Sequence, residues 1–204
     1  MNEPIAIAIL AKAPEPGLAK TRLIPALGAE RAAFLQARLI ERTVETACAA
    51  AVGPVTLWAA PDERHPVFAT LSTRHRIRTR RQPEGDLGNR MLSAMAAADA
   101  PVLVIGTDCP ALSPAHLRCA AEILRAGNNA VVLPAEDGGY VLIGTRRPQP
   151  VLFVDIPWGT ADVMEETRGR MRSLGLTWQE PATLWDVDLP KDLERLRELG
   201  LELP

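Results

Sequence analysis

"IAIAILAKAPEPGLAKTRL", residues 5–23, joins an unbroken apolar run to a loop that carries two lysines, an arginine, two prolines and a glycine. The run covers residues 5–11, and its lack of polar alternation predicts a strand buried on both faces. The loop raises a chemical question. A glycine-rich phosphate cradle ending at Lys20-Thr21 would need glycine where Pro14 and Ala19 stand. Pro14 and Pro16 also lack the N–H groups with which such a cradle works. An anion bound here would therefore be held by the side chains of Lys12, Lys20 and Arg22. The alternative is a solvated basic turn.

Further along, apolar runs alternate with helical patterns. A long helix is predicted over about 29–51, a strand at 55–60 ("VTLWAA") and a third strand within "HRIRTR" (75–80). "LGNRMLSAMAAA" reads as a helix capped by Asp86, and "PVLVIG" (101–106) as a second doubly buried strand. Ser113 and Pro114 suit the N-cap and first position of the next helix, which Gly127 ends. Strands "AVVLP" and "YVLIGT" flank "AEDGG", and helices are expected near 160–173 and 190–199. This alternation predicts one α/β domain over residues 1–204, a mostly parallel Rossmann-like sheet with helices on both faces. Such sheets bind ligands at the carboxyl ends of their strands. The loop at 12–22, "TDCP" at 107–110 and "EDGG" at 136–139 all follow strands, and so belong to one edge.

Composition sets the outer limits. The chain has 204 residues, 47% hydrophobic and 24% charged, with a formal net charge of −2. It reads as globular, and no general basic field points to nucleic acid. Cys48, Cys109 and Cys119 are odd in number and form no C-x-x-C pair, so they read as reduced thiols in a cytoplasmic protein. The apolar N-terminal run is short and preceded by Glu3 without lysine or arginine, which argues against an export signal and a membrane span. Nothing in the sequence fixes an oligomeric state.

Each polar motif has a functional and a plain reading. Asp108, directly after a buried strand, is a candidate ligand for a hard metal, since Ser113 already serves as the next cap. "WDVDLPKDL" sets Asp186 and Asp188 two apart, on one face if extended; Asp188 could instead cap the last helix. Asp108 and Asp188 holding one Mg²⁺ or Mn²⁺, with a diphosphate completing the shell, is the sharper reading. Gly138 and Gly139 allow either a close approach to a ligand or a tight turn, and Asp137 is a candidate base. The arginines at 74, 76, 78 and 80 share a strand face and read as a solvated edge. His65, His75 and His116 lack ligand spacing, and Cys109 reads as a small wall residue.

Taken in order, "LAKAPEPGLAKTRL", "GDLGNRM", "IGTDCPAL", "PAEDGGYVLIG", "WGTADVMEET" and "DVDLPKDL" span nearly the whole chain. Together they resemble the bacterial glycosyltransferase-like family also called radical-SAM/selenodomain-associated transferases. That family belongs to the nucleotide-diphospho-sugar transferase (GT-A) superfamily. The chain is similar, more distantly, to the 2-phospho-L-lactate and molybdenum-cofactor guanylyltransferases. The resemblance implies that Lys12, Lys20 and Arg22 meet nucleotide phosphates, and that Gly85, Asp86 and Arg90 line the nucleoside pocket. It implies that Asp108 and Asp188 bind the metal and that Asp137, Gly138 and Gly139 face the acceptor. Leu189 and Lys191 stand where the family usually has threonine and glutamate.

Two chemistries fit such a site. In glycosyl transfer, metal and Lys20 stabilise a departing nucleoside diphosphate while Asp137 assists a small hydroxyl acceptor. In nucleotidyl transfer, a nucleoside triphosphate is attacked at its α-phosphorus and pyrophosphate leaves. A third class, non-catalytic nucleotide binding, sits poorly with the presence of both carboxylates. "AEDGGY" carries two acids and no cation before Arg146, which repels a phosphorylated acceptor and favours glycosyl transfer.

Overall fold

Strand β1 (Ala6–Lys12) lies inside a seven-stranded sheet and alternates its side chains between two cores. The computed structural model describes residues 3–98 and 100–200. Ile5, Ile7, Ile9 and Ala11 pack into one core, and Ala6 and Ala8 pack into the other. Covering both faces is what makes the run read as continuously apolar rather than alternating.

A 3₁₀ turn at Thr21–Leu23 and the short α1 (Ile24–Leu27) lead from the basic loop into α2 (Ala29–Ala50). Then come β2 (Val55–Ala60), α3 (Pro66–His75), β3 (Arg78–Arg81), α4 (Leu87–Ala96) and β4 (Val102–Ile105). Next are α5 (Pro114–Arg125), β5 (Ala130–Pro134), β6 (Tyr140–Thr145), α6 (Val163–Ser173), β7 (Trp178–Gln179) and α7 (Asp192–Glu198). The sheet order is β3-β2-β1-β4-β6-β5-β7, and only β6 runs antiparallel to its neighbours. Helices α2, α3 and α5 contribute to one core, whereas α4 and α6 contribute to the other.

The chain winds outward from β1 through β2 to β3, then returns to place β4 on the other side of β1. The crevice between the carboxyl ends of β1 and β4 is thus the topological switch point, where such sheets bind ligands. The loops after β1, β4 and β5 share that edge, as the alternation of elements predicts. A smaller cluster of Leu23, Leu35, Leu39, Val187 and Leu196 holds the segment before α7 against α2. This brings residues 187–188 back to the first loop.

Predicted caps are observed. Asp86 accepts from Asn89 N at 2.8 Å, and Ser113 forms a reciprocal capping box with His116. The arginine run, however, is divided between elements. Residues 66–75 form α3, started by Pro66 at its first turn and anchored by buried Phe68 and Leu71. Arg74 lies on that helix and pairs with Glu41, while Arg76 is its left-handed C-cap (φ 53°). Only Arg78 and Arg80 share the strand face expected for all four. Apolar spacing on the preceding residues outweighs the β-like alternation of the charged ones.

Gly138 in the β5–β6 hairpin has a structural constraint of its own. Its φ is 94°, and a Cβ there would lie 2.2 Å from the carbonyl oxygen of Ala161. The hairpin therefore packs directly on the segment before α6. Replacing Gly138 by alanine should destabilise the fold by about 1–3 kcal/mol, through backbone strain and the displaced 161–163 segment. Urea unfolding is the check, and unchanged stability would show that the hairpin shifts without cost.

Candidate active site

The basic loop is closed by its own backbone before any ligand is considered. The N–H groups of Ala13, Glu15, Leu18 and Ala19 already donate to carbonyls in or beside the loop. Lys12 Nζ donates to Leu18 O at 2.8 Å, tying the two ends of the loop together. Side chains, not amides, are therefore its main anion-binding resource.

Those side chains converge. Lys12, Lys20, Arg22, Asp108 and Asp188 all line one cleft of about 370 Å³ at the switch point. Lys20 is the innermost, its side chain only 4% exposed, with Nζ 2.7 Å from Asp108 Oδ1. The same ammonium donates to Val187 O at 2.6 Å, so it joins the ends of the first loop, β4 and the tail segment. Lys20 adopts a left-handed backbone conformation (φ 48°, ψ 45°) to reach this position. Arg22 pairs with Asp188 at the cleft mouth.

Asp188 does not cap α7. Instead the Asp192 carboxylate turns back and accepts from the N–H groups of Asp188 (3.1 Å) and Leu189 (2.7 Å). The Asp188 side chain is thereby left to face Arg22 and the cleft. Threonine at position 189 is not needed for this turn, because Asp192 supplies the acceptor.

Gly85, Asp86, Arg90, Asp137, Gly138 and Gly139 do not line this cleft; they lie on segments whose neighbouring residues do. Gly85 (φ 113°) accepts from Arg90 Nε through its carbonyl at 3.1 Å, and Asp86 caps α4. That helix presents Leu87 and Met91 to the cleft. Asp137 Oδ1 accepts from Gly139 N at 2.9 Å, which shapes the hairpin turn, and Tyr140 and Val141 form the adjoining wall. Cys109 is a buried neutral thiol: desolvation pushes its pKa up to about 12. It packs in the hydrophobic core and does not line the cleft, and a buried protonated thiol is not a nucleophile.

The sequence reading noted Asp186 without assigning it a role, and the structure places it among the acids. Burial, followed by the charges of Asp137 and Asp108, raises its pKa to about 6. Asp186 thus feels the charges of acids from two other elements, the β5–β6 hairpin and the loop after β4. Gln36 and Thr107 also line the cleft, and both are buried. A polar residue within the apolar stripe of "RAAFLQARLI" is the one sequence sign of Gln36.

This donor set fits a hard divalent cation. It offers carboxylates without neighbouring imidazole or thiolate ligands, and crowded acids that positive charge would relieve. Among the described residues no group of three or more His, Cys, Asp or Glu is arranged to hold an ion alone. Asp108 and Asp188 would supply the protein's share, with phosphate and water supplying the rest.

The fold is that of the nucleotide-diphospho-sugar transferases. A "putative nucleotide-diphospho-sugar transferase" from Desulfovibrio desulfuricans G20 superposes with a TM-score of 0.87 at 30% identity, covering 98% of this chain and 88% of that one. CMP:2-keto-3-deoxy-manno-octonic acid synthetase complexed with CTP matches at TM-score 0.61 and 14% identity, over 97% and 98% of the two chains. The 4-diphosphocytidyl-2C-methyl-D-erythritol synthase of Anaerococcus prevotii DSM 20548 matches at 0.61 and 12%, over 98% and 97%. The latter two share the fold. No curated protein matches the chain. Residues 43–160 match the family described as "Uncharacterized protein conserved in bacteria (DUF2064)", and the chain belongs to it. Among the described residues no helix is long and apolar enough to cross a membrane.

The raised pKa of Asp186 carries a sign. Above an unfolded value near 3.8 the unfolded chain loses its proton first, so stability falls as pH rises toward about 6 and then levels. Asp186→Asn removes this cost. In chelator-containing buffer it should raise the thermal midpoint at pH 7.5 relative to wild type, with the gain shrinking toward pH 4. A gain independent of pH would contradict the assignment.

Proposed function

We propose that the protein is a metal-dependent transferase that moves a glycosyl group from a nucleotide-sugar to a small hydroxyl acceptor. The observation that carries this reading is the convergence of Lys12, Lys20 and Arg22 with Asp108 and Asp188 in one cleft at the switch point. The 30%-identical nucleotide-diphospho-sugar transferase neighbour supports the donor class.

In this reading the cations on the first loop bind the donor's diphosphate, and Leu87 and Met91 offer an apolar surface beside it. Gly85, Asp86 and Arg90 set the start of α4 that borders the nucleoside. Asp108 and Asp188 hold Mg²⁺ or Mn²⁺, which supplies Lewis-acid stabilisation of the leaving diphosphate when bound. Asp137 and Asp186 form an acidic wall that accepts hydrogen bonds from hydroxyl groups and repels phosphorylated acceptors. The acceptor oxygen attacks the anomeric carbon, its proton passes to Asp137, and the bond to the diphosphate breaks. Gly138 and Gly139 hold that aspartate in the hairpin turn.

The decisive assay separates two products. With Mg²⁺ or Mn²⁺, nucleotide-sugars and polyhydroxy acceptors should release nucleoside diphosphate. Asp108→Asn should lower kcat/KM by roughly 10²-fold or more, as loss of one charge-stabilising group does in comparable sites. Release of pyrophosphate from nucleoside triphosphates with phosphorylated acceptors, and no turnover of nucleotide-sugars, would assign nucleotidyl transfer instead.

A further inference from the structure

The first half of the buried face of α2 consists of Ala32, Ala33, Leu35, Leu39 and Ile40, yet it also carries Gln36, which is 5% exposed; the buried polar residues of the second half are the threonines Thr43 and Thr46. Burying an amide costs free energy unless it is hydrogen-bonded, and packing alone would favour leucine here. Gln36 does have a partner: Nε2 donates to Thr107 Oγ1 at 3.1 Å. Thr107, itself 4% exposed, places the same hydroxyl 3.4 Å from Asp108 Oδ1.

The direction of this chain matters. A threonine hydroxyl has one proton and two lone pairs. With the Gln36 N–H directed at a lone pair, the single proton is left to point at Asp108. Oδ1 then faces two donors, the Thr107 hydroxyl and the Lys20 ammonium at 2.7 Å. Oδ2 has no protein donor among the described residues.

We infer that Gln36 is a positioning residue: through the Thr107 hydroxyl it fixes the Asp108 carboxylate so that Oδ2 is the oxygen presented to a divalent cation. The inference rests on the proposed role of Asp108 in holding that cation. Gln36 acts at one remove and does not itself ligate. An amide serves because it can donate toward Thr107 without adding charge beside Asp108, which already lies within electrostatic reach of Asp186.

The test is Mn²⁺ titrated by calorimetry into full-length protein saturated with a nucleoside diphosphate, with UDP, GDP, CDP and ADP tried in turn on the wild type. Thr107→Val and Gln36→Leu should each weaken Mn²⁺ roughly tenfold or more, as loss of a partner behind a metal ligand does. The double variant should lose little beyond the weaker single one, because both break the same chain. Thr107→Ser should retain wild-type affinity, and in the other variants the loss of Mn²⁺ affinity should exceed any loss of metal-free nucleotide affinity. If Thr107→Val does not fold, Gln36→Leu against Thr107→Ser carries the comparison. The inference is overturned if folded Gln36→Leu binds Mn²⁺ like wild type, or if metal-free nucleotide affinity falls in parallel. If nucleotide and Mn²⁺ show no mutual tightening in the wild type, the proposed function fails and this inference with it.

Discussion

One buried ammonium ties the site together. Lys20 reaches inward from the first loop and meets the Asp108 carboxylate and the Val187 carbonyl, at 2.7 and 2.6 Å. It thereby links three segments that lie far apart in sequence: the turn after β1, the end of β4 and the strip before α7. A buried cation needs both charge and hydrogen-bond partners, so each of these segments is constrained by the other two. The left-handed conformation of Lys20 is the local cost of that arrangement.

Everything around this point follows from how β1 is buried. Its odd and even residues fill different cores, which forces helices onto both faces and places β1 at the centre of the order β3-β2-β1-β4. The reversal of winding at β1 and β4 then opens a crevice at their carboxyl ends. Cations arrive there on the first loop. Acids arrive on the β4 loop, as Asp108, and on the tail, as Asp188. Charge of both signs in one cleft suits a diphosphate accompanied by a divalent cation better than either alone.

Most of this frame was legible because local signals agree with the tertiary arrangement. Unbroken apolar runs mark β1, β4 and β5, and Asp86, Ser113 and Pro114 mark helix starts that the structure contains. The strand expected within 75–80 exists as β3 but begins at Arg78; the helix before it has no strong local signal, because α3 depends on Phe68 and Leu71 meeting the core. Of the site, the residues flagged in the first loop and the two aspartates do converge. Asp186 and Gln36 were not assigned for a physical reason. The charge of Asp186 is set by neighbours from other elements, and the partner of Gln36 lies on a loop some 71 positions away.

The central claim is that the switch-point cleft holds a nucleotide diphosphate and a divalent cation between the first loop and Asp108. The most direct measurement is an anomalous difference map from a crystal grown with Mn²⁺ and a nucleoside diphosphate. The account predicts a manganese peak roughly 2.0–2.3 Å from an Asp108 carboxylate oxygen, by analogy with small hard cations. It also predicts phosphate density beside Lys12, Lys20 and Arg22. A nucleotide bound elsewhere, or manganese away from Asp108, would contradict it.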